Sequence, residues 1–265
     1  MIPSRPHLIA HLSDLHLDGT LEPSTRAMAI ARHLGASNTP LDGVVITGDL
    51  VNTSSPDALA QLDQVIQALP RGVPLVCCSG NVDSADVITW IRHRNTVPPA
   101  EGDLVVIPID CAPGGAPSLE EGSIENARTA LQAVPVSSHV SLAIHHPPGP
   151  RHGSIGDQLL LRDTTQLAEL AAHRAVVGIV AGHTHTATVS TFDSKPLLVA
   201  PGVRSEGRLP HLEVVAYGDP LVDESTNPAY LLHRVTDRTI TTYVRQVSIA
   251  SPKNTIGAVA AGLRQ

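Results

Sequence analysis

The chain has 265 residues, 42% of them apolar but only 2% aromatic, with a formal net charge of −7. That length suits one large domain whose core must be built from Val, Leu, Ile and Ala. The charge argues against a nucleic-acid partner, and no run of about 18 apolar residues is present to suggest a membrane span.

The N-terminus lacks the long apolar stretch of a signal peptide, so the cytoplasm is the expected location. His7 to Leu12 reads as a first buried strand ending in Ser13-Asp14-Leu15-His16. Asp14 and His16, two apart, offer a carboxylate and an imidazole, a pairing that suits a divalent metal; a polar loop with Asp as a cap is the other reading. Residues 24–34 read as a helix capped by Ser24 or Thr25. Residues 41–47 form a second apolar strand running into Gly48-Asp49, with Asn52 placed to orient that loop. Ser55-Pro56-Asp57 opens a helix, with Pro early in the first turn.

A third strand, residues 73–78, ends in Ser79-Gly80-Asn81-Val82-Asp83, where Asn81 offers an amide oxygen and Asp83 the N-cap of the next helix. This strand holds Cys77 and Cys78; with Cys111 the count is odd, so no disulfide framework is visible and small core residues are expected. A fourth strand spans 104–110, and a short helix 124–134. A fifth, 140–144, ends in His145-His146-Pro147-Pro148. The double proline stiffens the loop that holds both histidines. Residues 149–161, with Arg151, His152 and Asp157, are a candidate substrate loop, a floppy connection being the other reading. Asp163 or Thr164 caps a helix to about residue 173. The β-branched run 175–181 then leads to Gly182-His183-Thr184-His185.

After this the pattern changes. Residues 188–192, 195–200, 211–215, 229–235 and 239–247 read as strands without helices between them, with a tight turn at 236–238. The hairpins suggest a second sheet packed on the first. Residues 1–247 are expected to form the domain and 248–265 a loosely held tail.

The strand ends together deliver Asp14, His16, Asp49, Asn81, His145, His183 and His185. One carboxylate near the middle of such an O/N set suits two divalent cations about 3.5–4 Å apart. Cysteine is absent from the set, which disfavours a structural zinc site. Other histidines read more plainly: His11 as a core residue, and His33, His93 and His173 as residues on helix surfaces.

The motifs Asp14-Leu15-His16, Gly48-Asp49, Gly80-Asn81-Val82-Asp83, His145-His146-Pro147 and Gly182-His183-Thr184-His185 resemble those of the calcineurin-like metallophosphoesterases, in order and spacing. The nearest look is to the bacterial class III cyclic nucleotide phosphodiesterases, through His145-His146-Pro147-Pro148, Leu161-Arg162-Asp163 and the hairpin-rich end. The resemblance implies an α/β fold, a four-layered αββα sandwich of two mixed sheets flanked by helices, with C-terminal hairpins. It implies Asp14, His16 and His185 around one metal, Asn81, His145 and His183 around the other, and Asp49 bridging. Mn, Fe or Zn would fit. It implies hydrolysis of a small soluble phosphate ester, a nucleotide-like or cyclic-nucleotide-like phosphodiester, by a hydroxide bridging the metals. A phosphomonoester substrate is the alternative; a non-catalytic scaffold is the less favoured one. Oligomeric state is left open, a homodimer included. Where most of the family carries a histidine after the motif asparagine, this chain has Val82. Asn81 would still stabilise charge on the phosphoryl oxygens, and His146 or His152 would have to replace the missing acid. Arg204 and His211 fall where the family's substrate pocket is often lined.

Overall fold

The computed structural model describes residues 6–95, 104–112, 114–135, 137–149, 158–208, 221–236 and 239–249. The expected strand at 211–215, the turn residues 237 and 238, His152, His211 and nearly all of the expected tail lie outside the described residues.

The first half alternates strand and helix. β1 (His7–Leu12), β2 (Gly43–Thr47) and β3 (Leu75–Cys78) are followed by α1 (Leu21–Gly35), α2 (Pro56–Ala68) and α3 (Ala85–Arg94) respectively. β4 (Leu104–Pro108), α4 (Glu121–Ala133), β5 (His139–Ala143), α5 (Thr165–Ala171) and β6 (Val176–Ala181) continue the alternation. Then come β7 (Thr188–Phe192), β8 (Lys195–Val199), the short β9 (Glu206–Gly207) and β10 (Val222–Asp223), β11 (Ala229–Thr236) and β12 (Thr239–Gln246).

Two five-stranded mixed sheets result, ordered β12-β11-β1-β2-β3 and β4-β5-β6-β8-β7. The hairpins do not make a sheet of their own. β11–β12 extends the first sheet, antiparallel to β1, and β7–β8 extends the second, so each covers an edge that would otherwise present unpaired main-chain groups. The β7–β8 turn takes two residues with positive φ, Asp193 and Ser194, the pair a tight antiparallel turn requires.

Three apolar clusters mark the layers. Leu12, Ile46, Cys77, Ile30, Leu62 and Ile91 join the first sheet to α1–α3. Leu142, Ile144, Ile179, Ile124 and Leu167 join the second sheet to α4 and α5. Ile9, Val45 and Val76 meet Val106, Ala143, Val180 and Leu198 between the sheets. The side chains are small and β-branched, as the near-absence of aromatics requires; burying each larger one contributes about 1.5–3 kcal/mol. All three cysteines are buried and unpaired. No helix among the described residues is long and apolar enough to cross a membrane.

Three helix starts differ from the sequence reading. α1 begins at Leu21, ahead of Ser24, because Asp18 accepts from the Thr20 N–H and sets the turn, while Pro23 sits in the first turn where no N–H is needed. α3 is capped by Ser84, whose hydroxyl accepts from the Val87 N–H, and not by Asp83. α4 begins at Glu121 and not at 124, with the Glu120 carboxylate accepting from the Ser123 N–H.

Candidate metal centre

The central parallel strands of both sheets run out at one end of the sandwich, and their following loops are tied together there. The Asp14 N–H donates to Gly48 O and the His16 N–H to Asp49 O, so the β1 and β2 loops continue side by side. The Gly182 N–H donates to His145 O, and the His183 N–H to Asp14 Oδ2 at 2.9 Å, which joins the two sheets. The Arg204 N–H donates to Asp14 O. Asp14, His16, Asp49, His183 and His185 all adopt positive φ, a left-handed turn that swings each side chain inward. Close packing fixes the glycines. A Cβ on Gly48 would meet His145 Nδ1, and one on Gly182 would strike Ser13 and Asp14.

Two clusters result. In the first, His185 Nε2 lies 3.3 Å from Asp14 Oδ1 and 3.1 Å from His16 Nε2. In the second, His145 Nε2 lies 2.9 Å from Asn81 Oδ1 and 3.0 Å from His183 Nδ1. Asp49 stands between them, with Oδ2 3.6 Å from His16 Nε2 and Oδ1 3.4 Å from His145 Nε2. The other ring nitrogens are engaged from behind. His145 Nδ1–H donates to Thr47 O at 2.7 Å; His16 Nδ1 faces Asn52 Oδ1 at 2.6 Å; His185 Nδ1 faces Ser205 Oγ at 2.7 Å. Such partners fix the ring and leave the far nitrogen free for an ion.

The electrostatics fit a cation. Asp14 is wholly buried, and its Oδ1 has no hydrogen-bond partner. Burial favours its neutral form, but His185 and His16 outweigh this and hold it well below the usual carboxylate range. Burial also opposes charge on His16, yet Asp14 and Asp49 raise it to about 9; His145 is likewise raised to about 9 against burial, chiefly by Asp49. O and N donors of intermediate softness at these distances could hold divalent metals. Groups of Asp14, His16 and His185, and of Asp14, Asp49 and His145, each bring their ligand atoms within 4.8 Å of one another.

Every strand-end residue singled out from the sequence thus meets at this end. His146 lies against them, its ring 4.2 Å from that of His183 between centroids, with Nδ1 3.2 Å from Cys111 Sγ. Burial and the neighbouring His183 and His145 push it down to about 2, so the ring is neutral. Val82 is 38% exposed, while its N–H donates to Asp49 Oδ1 at 3.1 Å. Arg204 is paired with Glu22 and Glu224.

Asp83 has a larger part than a cap. It accepts from the Leu50, Val51 and Gly80 N–H groups and so clasps the β2 and β3 loops together. Burial and Asp49 raise it to about 6. Ser205, behind His185, was missed in the sequence; a serine in a polar loop gives no local signal.

Comparison with known proteins agrees with this geometry. A probable cyclic nucleotide phosphodiesterase from Rhodococcus erythropolis is 30% identical over 215 residues, 75% of this chain and 71% of that protein. A cAMP/cGMP dual specificity phosphodiesterase from Mycobacterium tuberculosis is 27% identical over 218 residues, 75% of this chain and 68% of that protein. In fold, a dimetal phosphatase from Danio rerio superposes with a TM-score of 0.62 at 12% identity, covering 92% of this chain and all of that one. Residues 7–187 match the calcineurin-like phosphoesterase family, and the chain is a hydrolase of that family.

Proposed function

We propose that this chain is a dinuclear metal-dependent phosphodiesterase acting on a small, nucleotide-like phosphodiester. The observation that carries it is Asp49, whose two oxygens face two separate clusters of ligand-type atoms. In this reading Asp14, His16 and His185 hold one ion, Asn81, His145 and His183 the other, and Asp49 both. Mn, Fe and Zn all suit these donors. When bound, the ions supply Lewis acidity toward phosphoryl oxygens and lower the pKa of a water nucleophile.

The chain's own residues do the rest. The Thr47 carbonyl, Asn52 and Ser205 hold the ligand rings in place. The Val82 N–H steadies Asp49. In this reading Asn81 stabilises charge on a phosphoryl oxygen. Val82 brings no side-chain donor; of the two candidate acids, His146 is kept neutral by burial and the neighbouring His183 and His145 and has no acidic proton to give, so leaving-group protonation falls to His152. The printed names of the two curated relatives support the diester class.

The test is turnover of paired chromogenic phosphomono- and phosphodiesters by protein reconstituted with Mn²⁺, beside Asp49→Asn. Metal-dependent diester turnover, lowered about 10³-fold or more in the variant, is the expected result. Full turnover by Asp49→Asn, or none by the parent with any metal, rejects the reading.

A further inference from the structure

A chain of hydrogen bonds, half-buried at Thr242 and buried from His233 inward, crosses the first sheet on its inward face. Thr242 Oγ1 lies 2.9 Å from His233 Nδ1, His233 Nε2 lies 3.0 Å from His11 Nδ1, and His11 Nε2 lies 2.9 Å from Thr47 Oγ1. The strand register makes this possible: Thr242 pairs directly with His233, which pairs with Ile9, while His11 and Thr47 are diagonal neighbours across the β1–β2 ladder. His11 and Thr47 are fully buried and His233 is 2% exposed, in the layer otherwise filled by Ile9, Val45, Val180 and Leu198.

We propose that His11 and His233 are positioning residues, which hold Thr47 so that its carbonyl keeps His145 in the Nδ1–H form with Nε2 aimed at Asp49 and Asn81. The inference rests on the metal reading above. Two adjoining imidazoles in a dry layer are a costly filling where two leucines would serve, unless every nitrogen is used. Here every nitrogen is used. Each neutral ring carries one N–H, so the chain has a consistent direction: the Thr242 hydroxyl donates to His233, His233 Nε2–H to His11, His11 Nε2–H to Thr47 Oγ1, and the Thr47 hydroxyl to Leu12 O at 3.5 Å. The reverse direction from Thr47 Oγ1 to Thr242 also closes. Burial favours this neutral state, pushing His11 well below its ordinary range and His233 to about 3.

The same Thr47 then presents its carbonyl to two donors, His145 Nδ1–H at 2.7 Å and Ser13 Oγ–H at 3.0 Å. Gly48, the next residue, has a positive φ and leaves room for the His145 ring. The peptide joining residues 47 and 48 is therefore where the buried chain and the second cluster meet. Holding the Thr47 side chain holds the plane of the carbonyl that sets the His145 ring.

The experiment titrates Zn²⁺ into chelator-stripped protein by calorimetry and follows melting alongside. The isotherm of His145→Ala identifies which binding step belongs to the second cluster. In the double variant His11→Leu/His233→Leu both partners become apolar, so melting is expected to stay near the parent's. The second-cluster step should weaken about 10–100-fold and the first-cluster step should not move. Thr47→Val, which keeps shape and loses the hydroxyl, should reproduce the selective loss, and Thr47→Ser should restore it. Parent-like affinity at both steps in the double variant and in Thr47→Val overturns the inference while the metal reading stands. If the double variant does not fold, Thr47→Val and Thr47→Ser decide. A parent that takes up no ion removes the metal reading, and this inference with it.

Discussion

The two clusters of the candidate metal centre each bring two histidines, with Asp14 in the first and Asn81 in the second, but support them differently. His16 and His185 keep 14% and 11% of their side chains exposed, and each is oriented by another side chain, Asn52 or Ser205. His145 is fully buried and is oriented by a main-chain carbonyl at the end of a central strand. A side-chain partner can turn to another rotamer, whereas the Thr47 carbonyl turns only with its peptide plane. In the proposed reading both rings of the first cluster are held by side chains and His145 of the second by the main chain, while His183 and Asn81 of the second cluster are themselves half-buried.

The sharpest way to probe the difference is to change the second half's chemistry without touching its ligands. Val82→His places a donor at the exposed mouth beside Asp49 and should raise turnover of diesters with poor leaving groups by about 10²-fold. Nitrophenyl esters, which need little protonation, should show almost no gain. A uniform gain on both would mean the new ring acts on something other than the leaving group.

Loosening the first half comes next. Asn52→Ala and Ser205→Ala should each weaken the first-cluster ion by about 10–100-fold and leave the second unchanged. Equal losses at both steps would end the distinction between side-chain-held and main-chain-held rings.

The smallest effect is that of pH. Without ions His16 and His145 stay protonated up to about 9, so an ion must displace a proton from each. Affinity should therefore rise with pH, by about tenfold per unit for each proton displaced, and level off above about 9. Each half contains one such histidine, so calorimetry in paired buffers should give the two steps equal slopes.

The strand ends were legible in the sequence because period and chemistry coincide there. Apolar runs such as residues 175–181 and 140–144 stop abruptly at a glycine, a histidine or a proline pair, so strand, loop and ligand types can be read together. Asp83 was misread for an equally local reason. It stands beside Ser84 before a helix, both are capping types, and only the approach of Leu50 and Val51 from another loop decides between them. The destination of the C-terminal hairpins was hidden too, since strand pattern does not say which sheet a hairpin extends. His11 read correctly as a core histidine, but its partner His233 lies 222 positions away and nothing local points to it.

The left-handed turns at Asp14, His16, Asp49, His183 and His185 set a limit on engineering this chain. Each holds a non-glycine residue in a conformation that costs of order 1–3 kcal/mol, and glycine would relieve that cost while removing a ligand-type side chain. Robustness and use therefore pull in opposite directions at these five positions. Gains in heat tolerance have to come from elsewhere, such as Leu21, 80% exposed at the start of α1, or Val189, 72% exposed on the edge strand β7.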